Sequence, residues 1–159
     1  MPEAVKPIPD GYTAVTPYIT VKGAAAAIDF YKKAFGAEET YRLDAPDGKV
    51  MHAEIRIDGA AVMLHDEMPQ WEALSPPSIG GSPCSLMLYV KDADAVVTRA
   101  VDAGATLTMP VADMFYGDRC GGIKDPFGHK WTVATHVEDV PRDEVARRAV
   151  KMFQQAPQK

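Results

Sequence analysis

Residues 121–135 have the sequence GGIKDPFGHKWTVAT, and this stretch decides the fold. Asp125-Pro126 followed by Gly128 predicts a tight turn, because proline fixes φ, the aspartate bonds back to the backbone and glycine tolerates positive φ. After the turn, Trp131 and Val133 alternate with smaller residues, in the period-2 pattern of a half-buried strand. The stretch therefore predicts a β-hairpin late in the chain.

A second hairpin is predicted at Asp58-Gly59, also between two apolar-rich runs. Outward from these hairpins the chain reads as two β-α-β-β-β copies, in which Val21-Lys22 and Val90-Lys91 stand at equivalent places. The first copy is predicted to have strands at 15–21, 40–43, 50–57 and 61–65 and a helix at 24–35. The second is predicted to have strands at 85–91, 106–109, 118–124 and 130–135 and a helix at 94–103.

The repeat divides the chain into an N-terminal arm at 1–13, modules at 14–67 and 84–139, a linker at 68–83 and a tail at 140–159. The arm is rich in proline and shows no periodicity. The linker is rich in proline and glycine, so we expect no regular structure there and a Trp71 free to lie over a cavity. The tail, after Pro141, predicts a docked helix with one apolar side, formed by Val145, Ala149, Met152 and Phe153.

Composition indicates a soluble globular protein of 159 residues, with 47% apolar and 25% charged residues. No apolar run is long enough to span a membrane and no leader is visible, so we expect a cytoplasmic protein. The net charge of −5, without a basic cluster, argues against nucleic acid or a membrane surface as a partner. Cys84 and Cys120 fit no metal or redox spacing and are predicted to be free thiols.

The tandem modules, with Ile28-Asp29-Phe30-Tyr31 on the first helix and Asp125-Pro126-Phe127-Gly128 before the last strand, resemble the vicinal oxygen chelate superfamily. That superfamily includes glyoxalase I, the bleomycin- and fosfomycin-resistance proteins and extradiol dioxygenases. Residues 21–37 and 116–129 look like its PhnB-like branch. The resemblance covers roughly residues 12–139 and implies an α+β fold, in which two tandem βαβββ modules form a cupped, incompletely closed mixed β-barrel. It also implies a homodimer with a small-molecule ligand in the cup.

Metal-using members take one ligand from the first and one from the last strand of each module, usually His or Glu. The resemblance places these positions at Thr16, Leu64, Ser85 and Thr132, none of which is a good divalent-metal ligand. A one-residue slip would bring in His65, but strand alternation predicts that His65 points to the helix-packed side. We therefore expect no metal and no cofactor.

The polar strand faces supply the candidate binding residues. His52 and Glu54 share one strand face, at a spacing that suits a general base with its orienting carboxylate, two metal ligands, or simply a solvated charged face. Asp118-Arg119 suits either an anionic ligand or a structural ion pair. The complete set of candidate ligand-binding residues is Thr16, Tyr18, His52, Glu54, Arg56, Trp71, Ser85, Tyr89, Tyr116, Asp118, Arg119 and Thr132.

Two functions remain open at this point. The first is a binding protein that holds a small, partly aromatic or anionic molecule without metal. The second is a divalent-metal lyase, isomerase or dioxygenase that uses unanticipated ligands such as His52 and Glu54. A methyltransferase is excluded, because no Gly-rich loop follows a strand to hold its cofactor. No catalytic residue is assigned from the sequence.

Overall fold

The computed structural model describes residues 5–155, so the ends of the predicted arm and tail lie outside the described residues. The first module comprises β1 (Tyr18–Val21), α1 (Ala24–Phe35), β2 (Glu38–Asp44), β3 (Val50–Ile57) and β4 (Ala60–Asp66). The second comprises β5 (Ser85–Tyr89), α3 (Ala93–Asp102), β6 (Thr106–Asp113), β7 (Asp118–Lys124) and β8 (Lys130–His136). Between them lies α2 (Pro76–Ile79), and α4 (Arg142–Gln155) follows the second module.

Each module forms one four-stranded sheet with the same topology. The strand orders are β1-β4-β3-β2 and β5-β8-β7-β6, with the first pair of each sheet parallel and the others antiparallel. Neither of these two sheets closes on itself. The predicted α+β fold with tandem βαβββ modules is therefore confirmed as two unclosed four-stranded sheets.

One apolar core joins the two modules, because each sheet turns its aliphatic face toward the helices. Small residues of α1, among them Ala27 and Ala34, are fully buried and allow close packing. Helix α3 contacts α1 as well as β6, β7 and β8. Arg99 of α3 donates a 2.9 Å hydrogen bond to the carbonyl of Ala34. The opposite face of each sheet is left without a helix.

Asp125 in the predicted turn links the modules. Its Oδ1 accepts from the backbone N–H groups of Phe127 and His129, which holds the turn. Its Oδ2 accepts from the Tyr31 hydroxyl at 2.8 Å and from Trp131 Nε1 at 2.9 Å. Trp131 is a buried core residue, and its ring packs 4.8 Å from the ring of Phe35 on α1.

The linker is more ordered than its composition suggested. It contains a 3-10 turn at Pro69–Trp71 as well as α2, and each begins with proline. Proline is compatible with the start of a helix because the N–H that it lacks would have no partner within the helix there. Glu67 Oε1 accepts from the backbone N–H of Ser75 at 2.8 Å and from its hydroxyl at 2.6 Å. The prediction of no regular structure between 68 and 83 is therefore wrong.

Helix α4 forms where it was predicted, and its apolar side is partly buried. Arg148 ties the helix to the chain through a bidentate pair with Glu138 and a bond to the Phe115 carbonyl. Val145 and Ala149 are half-buried, whereas Met152 and Phe153 lie beyond this attachment and are exposed, Phe153 by 72%. Among residues 5–155 the apolar side is therefore half-buried at its start and exposed at its end.

Candidate functional site

The helix-free face of the first sheet carries a cluster of polar and aromatic side chains, here called the first open face. It arises from strand alternation, because Ile19, Ile55 and Leu64 face the core and their strand neighbours point the other way. The first open face consists of Tyr18, Thr20, His52, Glu54, Arg56 and His65.

Hydrogen bonds connect three of these residues in a chain. The Tyr18 hydroxyl lies 2.9 Å from His52 Nδ1, and His52 Nε2 lies 3.1 Å from Glu54 Oε1. A carboxylate only accepts, so in the neutral imidazole the proton sits on Nε2 and Nδ1 accepts from Tyr18. Burial and the Glu54 charge raise the pKa of Tyr18. The His52 imidazole therefore links the hydroxyl of the half-exposed Tyr18 side chain to the carboxylate of Glu54.

Tyr12 of the N-terminal arm also binds this face, which sequence reasoning did not foresee. Its hydroxyl donates to Glu54 Oε2, and its ring lies over the guanidinium of Arg56, with 4.6 Å from Cζ to the ring centroid. Arg56 in turn donates to the carbonyl of Gly11. The Tyr12 and His52 hydrogen bonds lower the pKa of Glu54. The one signal in the sequence was an aromatic residue within a proline-rich arm.

His65 lies on the first open face, and the prediction that it points to the helices is wrong. Its Nδ1 donates to the Asp66 carbonyl at 2.7 Å, so Nε2 accepts from the Thr20 hydroxyl at 3.2 Å. Its ring meets that of Tyr18 edge-on at 5.0 Å. The register pairs Leu64 with Ile19, and both are core residues. The expected metal position on β4 was therefore placed one residue out of register.

The helix-free face of the second sheet, here called the second open face, holds another chain of polar groups. Asp118 is buried and accepts from the Tyr89 hydroxyl at 2.8 Å, while His136 Nδ1 lies 2.7 Å from its other oxygen. His136 Nε2 lies 3.0 Å from Asp139. Hydrogen bonds from the imidazole to Asp139 and Asp118 raise the pKa of His136, a residue that the sequence analysis did not include in the site. The remaining members of the second open face are Ser85, Met87, Cys120 and Thr132.

Tyr116 borders the second open face. Its hydroxyl lies 3.5 Å from the buried thiol of Cys120, and this contact raises the pKa of Tyr116 to about 12. Phe115 meets the Tyr116 ring edge-on at 5.3 Å. The rings of Phe115 and Tyr116 therefore form an aromatic surface at the edge of the second open face.

Three candidate residues lie away from both open faces. Arg119 points to the helix side and forms a bidentate pair with Asp94 at 2.6 and 2.7 Å. It braces α3 and does not join Asp118, because neighbouring strand residues face opposite ways. Thr16 precedes β1 and donates to the carbonyl of Thr13. Trp71 is 65% exposed beside a shallow hollow of about 140 Å³ at the linker.

The residues present do not fit the metal centre of metal-using superfamily members. On β4 the residue that reaches the open face is His65, and both of its ring nitrogens already contact the Asp66 carbonyl and the Thr20 hydroxyl. The expected positions on β5 and β8 are the hydroxyl residues Ser85 and Thr132, and Thr16 lies outside the sheet. In residues 5–155 no group of three His, Cys, Asp or Glu side chains converges to hold a metal ion. In His52 and Glu54, the Nε2 and Oε1 atoms that would have to bind such an ion are instead hydrogen-bonded to each other.

Concave surface occurs at two relevant places. A cleft of about 660 Å³ lies on the helix side between the end of α1 and the start of α3, and is lined by charged residues such as Asp58 and Lys91. A smaller cleft of about 210 Å³ adjoins the first open face and is lined in part by Tyr18, Thr20 and His129. We place the candidate site at the open faces, because the hydrogen-bonded chains of titratable groups are there.

No helix within residues 5–155 is long and apolar enough to cross a lipid bilayer.

Comparison with known proteins gives consistent results. An uncharacterized protein of Mycobacterium tuberculosis is 46% identical over 135 residues, which cover 83% of this chain and 79% of the relative. The crystal structure of an Arabidopsis thaliana gene product matches with a TM-score of 0.62 at 31% identity, over 77% of this chain and 98% of that chain. The PhnB protein from Bacillus cereus shares the fold, with a TM-score of 0.61 at 19% identity, over 77% of this chain and 99% of that chain.

The family model for the Glyoxalase/Bleomycin resistance protein/Dioxygenase superfamily matches residues 11–133, which includes both modules from β1 to Val133 of β8. The match leaves most of the N-terminal arm and all of α4 outside. On this match, and as the tandem repeat predicted, the chain belongs to the glyoxalase/bleomycin resistance protein/dioxygenase superfamily.

Proposed function

We propose that this protein binds a small, partly aromatic or anionic molecule on its open faces, without a metal ion, as a cytoplasmic homodimer. The observation that carries the proposal is the exposure of aromatic groups beside hydrogen-bonded titratable chains: Tyr18 and Tyr89 are each 53% exposed. Surfaces that combine aromatic area with a few oriented polar groups are typical of small-molecule sites. Membership of a superfamily that hosts many chemistries does not by itself name the ligand.

The homodimer is proposed because, within residues 5–155, one chain leaves much of each open face uncovered, with Tyr12 over only part of the first. A cup needs two walls, and a second copy can supply the missing wall to each face by two-fold symmetry. We propose modules 14–67 and 84–139 as the units that pair, with 68–83 as their connection. Tyr18, His52, Glu54 and Arg56 would then contact the ligand from one wall. Ser85, Tyr89, Tyr116, Asp118 and Thr132 would contact it from the other wall.

The first experiment measures oligomeric state and metal content on protein purified without chelator. We expect a dimer in sedimentation velocity and no stoichiometric zinc, nickel, manganese or iron, with equal stability in chelator. Near-stoichiometric metal that His52→Ala abolishes and Thr16→Ala retains would instead establish a metalloenzyme. A monomer would remove the second wall from the proposed cup.

The second experiment is a thermal-shift screen of small aromatic and anionic compounds. A true ligand is expected to raise the melting temperature of the wild type by mass action, and to lose this effect in His52→Ala. Thr98→Ala, an exposed substitution on α3 away from both faces, is the matched control and should retain the effect. Retention of the effect in His52→Ala would contradict binding at the first open face.

A further inference from the structure

Within residues 5–15, Tyr12 is half-buried and every other residue is exposed. Its phenol ring is applied to the first open face, 42 residues away in sequence from Glu54. The chain therefore places a hydroxyaromatic group of its own on the surface proposed to receive a ligand.

Two contacts define how this surface holds the phenol. Glu54 Oε2 accepts the hydroxyl hydrogen, and the Arg56 guanidinium lies 4.6 Å from the ring centroid. A carboxylate that only accepts selects a hydroxyl donor, and a cation beside the ring selects an aromatic π-system. The hydrogen bond to Glu54 also raises the pKa of Tyr12, so the phenol stays neutral. Each contact uses a general property of phenols and none uses the tyrosine backbone.

We infer that Glu54 and Arg56 form a subsite for the neutral phenol group of a small-molecule ligand, which Tyr12 occupies until that ligand displaces it. The inference deepens the proposed function, on which it rests, by naming hydroxyaromatic compounds as the ligand class. A ligand hydroxyl that replaces that of Tyr12 would join the chain through Glu54 and His52 to Tyr18.

The arm is built so that it can leave. Within residues 5–13, the hydrogen bonds between the arm and this face are those of Tyr12 with Glu54 and of Arg56 with the carbonyl of Gly11. The arm also closes on itself, since the Tyr12 N–H donates to the Pro9 carbonyl and Lys6 pairs with Asp10. These local bonds can persist when the arm swings away, so a ligand on this face competes with the Tyr12 and Gly11 contacts.

The test uses p-cresol, which is the tyrosine side chain as a free molecule, and toluene, which lacks its hydroxyl. Affinities are measured by calorimetry on the full chain as wild type, Tyr12→Ala and Tyr12→Phe. We expect p-cresol to bind Tyr12→Ala at least about tenfold more tightly than wild type, because the competing group is gone. Toluene should bind Tyr12→Ala at least about tenfold more weakly than p-cresol, because it leaves the carboxylate unpaired.

A second pair of variants locates the site. In the Tyr12→Ala background, Glu54→Gln should weaken p-cresol binding at least about tenfold. Glu39→Gln, which changes a carboxylate on β2 that pairs with Lys32, should leave it unchanged. If Tyr12→Ala is unstable, Tyr12→Phe still decides the question, since it removes only the hydroxyl that holds Glu54.

Equal p-cresol affinity in wild type and both Tyr12 variants, or equal affinity for toluene, would overturn the inference. If p-cresol fails while another compound binds in a His52-dependent manner, the phenol subsite is wrong and the proposed function stands. If no compound of the screen binds either face, both are overturned.

Discussion

The buried hydroxyl of Tyr31 donates a 2.8 Å hydrogen bond to the carboxylate of Asp125, 94 residues further along the chain. Tyr31 belongs to the helix of the first module and Asp125 to the last turn of the second. Burial and the Asp125 carboxylate raise the pKa of Tyr31 well above its ordinary value, so the phenol remains a donor. The two modules are thereby joined at the turn that also starts β8.

Tyr31→Phe is expected to lower the free energy of unfolding by about 1–2 kcal/mol, because it deletes one buried hydrogen bond to a charged group. Asp125→Ala should cost more than about 3 kcal/mol, since it leaves Tyr31, Trp131 and two turn N–H groups without their acceptor. Urea unfolding of both single variants and the double variant gives the coupling energy. Additive effects would show that the bond does not couple the modules.

Glu67→Gln is expected to loosen the linker, and to do so only where Glu67 is ionised in the wild type. Hydrogen bonds from Ser75 and Ser78 lower the pKa of Glu67 from 4.5 to about 2. The lowered pKa stabilises the fold above about pH 4.5, and this contribution is lost as the pH falls toward 2. With solvent screening we expect about 1 kcal/mol at pH 7. Urea unfolding at pH 7 and near pH 2.5 checks this, and a difference that is undiminished at the lower pH would contradict it.

His136→Gln is expected to show the opposite pH dependence. The pKa of His136 is raised by Asp139 and Asp118, so the charged imidazole stabilises the fold at pH values below 6.5. That contribution disappears as the pH rises through the raised pKa. The wild type should therefore exceed the variant in urea midpoint by more at pH 5.5 than at pH 9. Nuclear magnetic resonance titration of His136 provides an independent measurement of the direction.

Gly117→Ala is expected to destabilise the protein by about 3 kcal/mol or more. Gly117 has φ of +105°, and a Cβ there would clash with the backbone carbonyl oxygen of Glu138. Gly48→Ala is the matched control, because Gly48 has φ of +83° with open space around it and should cost only about 1–2 kcal/mol. Equal losses in thermal unfolding would show that backbone strain alone, and not the clash, determines the effect.

Much of the fold follows from local pattern. The Asp-Pro-Phe-Gly and Asp-Gly turns, the glycines that end the helices and the period-2 strands act over a few residues, so the sequence alone reveals them. The repeat of these signals predicted two modules, and the superfamily was predicted from their resemblance to known members. Proline content misled at the linker, because proline at the start of a helical turn favours the turn instead of breaking it.

Only some of the residues on the two open faces could be predicted from the sequence. Tyr18, His52 and Glu54 were predicted correctly as members of this face because each occupies an alternate position on the polar side of its strand. His65 was misplaced because a one-residue error in strand register inverts the face of every side chain. His136 was missed because the predicted strand ended at residue 135, one residue before it. Tyr12 was missed because it lies in the arm, outside the regular pattern, and reaches Glu54 only in the folded chain.

By itself the sequence determined the modular repeat, the turns and the parity of the strands, because these depend on backbone preferences and on burial of alternate residues. The tertiary structure alone decided that Asp125 joins the modules, that Trp131 packs under α1 and that Tyr12 covers Glu54 and Arg56. The physical reason is that these contacts join residues distant in sequence. A local pattern records that a side chain is buried or paired, but its partner is selected only when the elements pack together.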